Sequence, residues 1–172
     1  MLLDKFFRPD PVREEAARLL SVVNAAARQE DLYGADRTPD TFDGRFQLLC
    51  LYAALAMRRL RASPEAAKLA QHFSDALFQS FDDGLREAGV GDLAVPKQMK
   101  KIAKAFYGRL TAYDAAITAA DSPALASALS RNIWDIEEAP FAGALAGRVE
   151  ALAAQLSEAP PERLAEPQLW QG

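Results

Sequence analysis

Apolar residues recur at three- and four-residue steps along most of the chain, a spacing that places them on one face of an α-helix. Prolines, glycines and capping residues separate the periodic stretches. The pattern predicts helices over residues 12–28, 39–61, 64–88, 96–120, 121–134 and 141–156. Neither an alternating strand pattern nor an internal repeat accompanies them. We therefore expect an all-α fold, a single-domain bundle of about six helices.

The second predicted helix carries the broadest apolar face, which predicts burial on more than one side and a central place in the bundle. Its start has two alternative caps. Either Thr38 caps with Pro39 at the first helical position, or Asp40 caps with Asp43 three residues later. The apolar positions of this helix are Phe42, Phe46, Leu49, Ala53, Ala56 and Leu60, broadened by Leu48, Leu51, Tyr52 and Leu55.

The fourth predicted helix has two opposed faces. One is apolar and contains Met99, Ile102, Ala103, Phe106, Leu110 and Tyr113. The other carries Lys97, Lys100, Lys101 and Lys104, with Arg109 further along. No acid interleaves these bases to form pairs along the helix, so they are available to neutralise phosphates of RNA or of anionic lipid. The alternative is an ordinary solvated helix face.

Charge is unevenly distributed although the net charge of −4 is unremarkable. Residues 135–166 contain seven acids and two arginines, whereas residues 97–109 contain five bases and no acid. This asymmetry favours an anionic partner for one surface. The chain divides into an apolar and basic lead-in (1–10), a helical domain (11–157) and an acidic, proline-rich tail (158–172). We expect the lead-in to staple onto the core or lie on a membrane, and the tail to be loose, with Leu169 and Trp170 as candidates for local docking.

Several classes of chemistry find little support. Cys50 and His72 are the only residues of their types, which excludes an intrachain disulfide and a Cys/His zinc site. The glycines at 84, 89 and 91 lack the spacing of a phosphate loop. The carboxylates Asp75, Asp82, Asp83, Glu87 and Asp92 leave a metal-dependent enzyme open as an alternative, although they lack the ligand order of an EF-hand. We expect no catalytic residue, metal or cofactor.

Three glycines, Gly44, Gly84 and Gly108, lie inside predicted helices, where each costs about 1 kcal/mol relative to alanine. Close helix contact or a kink would compensate for that cost. The alternative is simple tolerance of a poor helix former. No apolar window reaches the ~20 residues of a membrane span, and we expect a cytoplasmic protein that visits the inner membrane face peripherally.

Three sequence blocks, in order, resemble the ubiquinol-cytochrome c chaperone family. They are TPDTFDGRF at 38–46, FDDGLREAGVGDLAVPKQMKKIAKAFYGRLTAYDAA at 81–116 and LSRNIW at 129–134. The resemblance covers roughly Leu20 to Trp134. Mitochondrial members of that family assemble the cytochrome bc complex and bind newly made cytochrome b, with a small partner protein, near the ribosomal exit. The resemblance implies an all-helical, non-enzymatic chaperone.

These observations combine into one hypothesis. The protein docks on nascent or newly inserted cytochrome b at the cytoplasmic membrane face, where its lysines meet lipid or ribosome and an apolar cleft holds the client. The candidate partner-binding residues are the bases Lys97, Lys100, Lys101, Lys104 and Arg109, and the family-marked residues Asp40, Gly44, Arg45, Asp82, Arg86, Gly91 and Asp92. For the second set, capping and turn geometry is the alternative role. A generic adaptor for anionic membrane or RNA is the alternative function.

Overall fold

The second helix forms the centre of the fold, as its broad apolar face predicts. In the computed structural model, which describes residues 10–171, every residue from Cys50 to Met57 is buried. This helix contacts the first, third, fourth and sixth helices. The helices are α1 (Pro11–Ala26), α2 (Phe42–Arg61), α3 (Ala67–Glu87), α4 (Val95–Thr118), α5 (Ser122–Leu129) and α6 (Ala142–Glu158). Within the described residues the only strand-like pairing is a single bridge between Tyr33 and Thr38, so the all-α prediction is confirmed.

The start of α2 differs from both predicted caps. Thr41 is the N-cap, and its hydroxyl accepts a hydrogen bond from the Gly44 backbone N–H at 3.1 Å. Thr38 is instead fully buried, and its backbone pairs with Leu32 and Gly34 in the preceding loop. Thr38 is therefore held in the loop before α2, and Thr41 caps the helix.

The connection from α3 to α4 follows the sequence expectation. Gly89 adopts a left-handed φ of +83°, the conformation that favours glycine after a helix end. The Gly91 carbonyl then accepts hydrogen bonds from the backbone N–H groups of Ala94 (2.8 Å) and Val95 (3.2 Å). These bonds start α4 at Val95, with Pro96 in its first turn.

The segment after α6 is packed, so the expectation of a loose C-terminal tail is wrong. Trp170 is 1% exposed, and its indole N–H donates to the Leu164 carbonyl at 2.8 Å. The Gln29 side-chain amide donates to the Trp170 carbonyl at 3.0 Å, and Tyr52 lies beside the indole with ring centroids 6.4 Å apart. The suggested local docking of Trp170 is confirmed. The predicted lead-in lies almost entirely outside the described residues.

Candidate functional site

Four lysines of α4 form an exposed basic face, which we call the lysine face: Lys97, Lys100, Lys101 and Lys104. Phe106, Leu110 and Tyr113 on the opposite side are buried in the core. Among the residues that the structure describes, no carboxylate lies within 4.0 Å of any of these four ammonium groups. The first turn of α4 contains no acid to offset the positive end of the helix dipole, so the field around Lys97 favours an external anion.

Arg109 lies outside the lysine face, although the sequence grouped it there. Its side chain is half-buried near Cys50 and Tyr113, and within residues 10–171 its buried Nε has no hydrogen-bond partner. Burial raises the pKa of the Cys50 thiol to about 12, and the neighbouring Arg109 guanidinium opposes that shift only in part. Arg109 thus belongs to the contact between α2 and α4.

The first family-marked set builds the approach to α2. The Arg45 guanidinium donates to the Asp40 carboxylate at 2.6 Å, and this bond holds the pKa of Asp40 below its usual range. A Cβ at Gly44 would lie 2.1 Å from the Pro39 carbonyl oxygen, so only glycine allows this close approach. The close approach at Gly44 is to the loop that precedes α2 and not to another helix, so the predicted close helix contact is not the reason for this glycine.

The second family-marked set clamps the turn between α3 and α4. Arg86 Nε donates to Asp82 at 2.6 Å, and Arg86 Nη1 forms a second ion pair with Asp92 across the turn. Gly91 supplies the carbonyl that caps the turn. Leu93, at the tip of the turn, is fully exposed. These residues have clear turn-forming roles, and the turn displays an apolar side chain to solvent.

An open groove of about 800 Å³ lies between the end of α1, the start of α2, the end of α3 and Ile102 of α4. Its floor is apolar and includes Phe46 and Phe81, whose ring centroids lie 5.0 Å apart. Phe42 at the edge is 75% exposed, so its predicted place on the buried face of α2 is wrong. Asp40 and Arg45 also line the groove. Periodicity in the sequence identifies these apolar positions but gives no sign that the face is uncovered.

The groove reaches α4 on the face opposite the lysine face. Ile102, which lines the groove, belongs to the apolar face of this helix, and none of the four lysines lines the groove. Gly84 also lines the groove, and a Cβ built there would meet no atom within 4 Å. The structure therefore places the open groove and the lysine face on different sides of α4.

The remaining candidate chemistries are not assembled by the fold. Within residues 10–171 no three His, Cys, Asp or Glu side chains are placed to hold a metal ion. His72 lies 3.4 Å from the Asp10 carboxylate, which also binds Lys68 at 2.8 Å. This cluster ties the start of α1 to α3. No helix in the described part of the chain is long and apolar enough to cross a bilayer.

Comparisons with known proteins agree with the fold. The family model described as ubiquinol-cytochrome C chaperone matches residues 36–169, so it begins after Leu20 and includes the packed C-terminal segment that the sequence blocks left out. The crystal structure of the Cbp3 homolog from Brucella abortus superposes with a TM-score of 0.83 and 43% sequence identity, covering 96% of this chain and 93% of that one. No curated protein gives a significant match. The chain therefore belongs to the ubiquinol-cytochrome c chaperone family.

Proposed function

We propose that this protein is a non-enzymatic assembly chaperone that binds newly made or newly inserted cytochrome b at the cytoplasmic face of the membrane. Membership of the ubiquinol-cytochrome c chaperone family supports the assembly role. The observation that carries the membrane-facing part is the lysine face, which is exposed and has no ion-pair partner among the described residues.

The binding free energy that the lysine face can contribute at an anionic bilayer suits reversible docking. Each Lys or Arg near an anionic bilayer contributes about 1 kcal/mol, so four lysines contribute about 4 kcal/mol. That energy corresponds to roughly a thousandfold increase in partitioning. A chaperone held this way reaches the membrane surface and can leave it again, which suits a protein that must release its client.

An RNA-binding adaptor is the weaker candidate, because Tyr107, the exposed aromatic residue of α4, is already engaged. The Phe78 ring packs beside the Tyr107 ring, and the two centroids lie 5.9 Å apart. The Arg61 guanidinium lies 5.5 Å from the centroid of the Tyr107 ring. The Tyr107 hydroxyl pairs with Ser74 at 3.2 Å. Stacking of single-stranded bases needs free aromatic faces. The geometry therefore favours lipid over RNA as the anionic surface.

Affinity capture from membranes tests the client. Tagged wild-type protein should recover cytochrome b, and recovery no better than from untagged cells would refute the proposal. Vesicle binding tests the lysine face. The wild type should bind vesicles of phosphatidylglycerol and phosphatidylcholine but not phosphatidylcholine alone.

A charge-matched pair of variants completes the test. The double variant Lys100→Glu/Lys101→Glu should lose binding to the anionic vesicles. Arg13→Glu/Arg131→Glu changes the net charge equally at exposed positions outside the lysine face and should retain binding. Equal vesicle binding by the two variants would remove the lysine face from the proposal. Loss of ribosome binding in place of vesicle binding would identify RNA as the surface.

A further inference from the structure

The groove combines an apolar floor with an acidic rim. Its ionisable lining residues are Arg28, Asp40, Asp43, Arg45, Asp83 and Glu87. Asp40 and Arg45 pair with each other. Within residues 10–171 the other three carboxylates have no ion-pair partner, and only the Arg28 guanidinium opposes them. The rim is therefore complementary to a cationic, apolar occupant.

Gly84 leaves part of the groove empty, although a residue with a side chain would favour the helix more than glycine does. Unlike Gly44, it has no neighbour within 4 Å of a Cβ position, so folding does not demand glycine there. Alanine would favour the helix. Since Gly84 lines the groove, the missing side chain leaves space that an occupant of the groove can fill.

The size of the groove limits how much can enter. A helix with its side chains is about 10–12 Å wide. The volume of about 800 Å³ then holds roughly one and a half turns of a helix that is wholly inside the groove. It holds about twice that length of a helix when only one face of the helix lies inside. The groove suits one apolar face near a helix end, not a whole membrane span.

We propose that the groove between α1, α2, α3 and α4 seats the end of an apolar helix of the client that is flanked by lysines or arginines. This inference rests on the proposed function. Helices commonly bind proteins by laying an apolar face into such a groove. Membrane proteins carry an excess of Lys and Arg at the cytoplasmic ends of their spans, and Asp43, Asp83 and Glu87 are placed to meet those cations.

A synthetic helix of leucine and alanine with three lysines at each end serves as the probe, and fluorescence anisotropy measures its binding to the 172-residue protein. Gly84→Leu fills the groove and should weaken binding by about tenfold or more, because it displaces apolar contact area. Gly108→Leu makes the same change at a helix glycine outside the groove, with equally open space, and should bind like the wild type.

A second pair of variants tests the charge. Asp83→Lys/Glu87→Lys should weaken binding of the lysine-ended probe about tenfold and strengthen binding of a glutamate-ended probe. Asp75→Lys/Glu137→Lys, with the same charge change at exposed positions outside the groove, should leave both affinities unchanged. All four positions are exposed, so these variants remain folded.

Equal binding by Gly84→Leu and Gly108→Leu, or an unchanged charge preference, would overturn this assignment. A wild-type dimer that Gly84→Leu alone converts to monomer in analytical ultracentrifugation would overturn it too, because the occupant would be a second copy. Capture of cytochrome b by Gly84→Leu at the wild-type level would remove the groove and leave the proposed function standing. Failure of the wild type to capture cytochrome b would instead remove the proposed function.

Discussion

Replacement of Trp170 by alanine is expected to destabilise the whole fold, although the residue lies two positions from the end of the sequence. The indole is 1% exposed, lies beside Tyr52 and donates to the Leu164 carbonyl. Truncation of a buried Trp or Phe to alanine costs about 3–5 kcal/mol. Loss of the indole hydrogen bond is part of that cost, so we expect about 4 kcal/mol. This is a large share of the roughly 5–15 kcal/mol that stabilises a typical domain.

Equilibrium urea unfolding followed by far-UV circular dichroism measures this effect. With a urea dependence of about 2 kcal/mol per molar, the midpoint should fall by about 2 M. Gln168→Ala is the control, because Gln168 is exposed two residues earlier and should change stability by less than about 0.5 kcal/mol. A Trp170→Ala midpoint equal to that of Gln168→Ala would refute the docking of the C-terminal segment.

Three further predictions concern buried or strained positions and acid stability. Gly44→Ala should destabilise the protein by about 1–3 kcal/mol, because the new Cβ meets the Pro39 carbonyl. Gly108→Ala should instead stabilise the protein by up to about 1 kcal/mol, because the space there is open and alanine favours the helix. Urea midpoints of the two variants that move in the same direction would contradict this. Since burial raises the pKa of Cys50 to about 12, a thiol reagent at pH 8 should label it only after unfolding, and rapid native labelling would show that the thiol is accessible. Hydrogen bonds from Arg45 to Asp40 and from Lys68 to Asp10 lower the pKa of each carboxyl below its ordinary value of 3.8. The stability that these bonds give is therefore present above pH 3.8 and is lost as pH falls through the folded-state pKa. Asp40→Asn should flatten the decline in urea midpoint below about pH 4, and an unchanged decline would contradict the assignment.

The positions of the helices could be predicted from the sequence because their apolar periodicity is a local property. The breadth of the apolar face correctly predicts the central place of α2, and Gly89 correctly predicts the end of α3. The cap of α2 could not be chosen in this way, because Thr38, Asp40 and Thr41 are all capable of capping. In the fold Thr38 is buried in the preceding loop, where its backbone pairs with Leu32 and Gly34, and Asp40 pairs with Arg45, so Thr41 is the cap.

The docked C-terminal segment and the groove depend on contacts that the sequence does not display. Trp170 packs against residues such as Gln29, which lies 141 positions away, within a segment whose proline and acid content is typical of a tail. Phe42 and Phe46 share one helical face, yet only the fold shows that no element covers Phe42. The exposure of the lysine face follows from helical spacing. The inward position of Arg109 does not, because it depends on Cys50 and Tyr113.

The most direct test of the account places a photo-crosslinking phenylalanine analogue at position 42 in cells that are making cytochrome b. Phe42 is exposed at the groove edge, so the substitution changes little in the folded protein. The same analogue at Arg131, an exposed position outside the groove, is the matched control. The account predicts a light-dependent adduct with newly made cytochrome b from position 42 and none from position 131. No cytochrome b adduct from either position, or equal adducts from both, would contradict it.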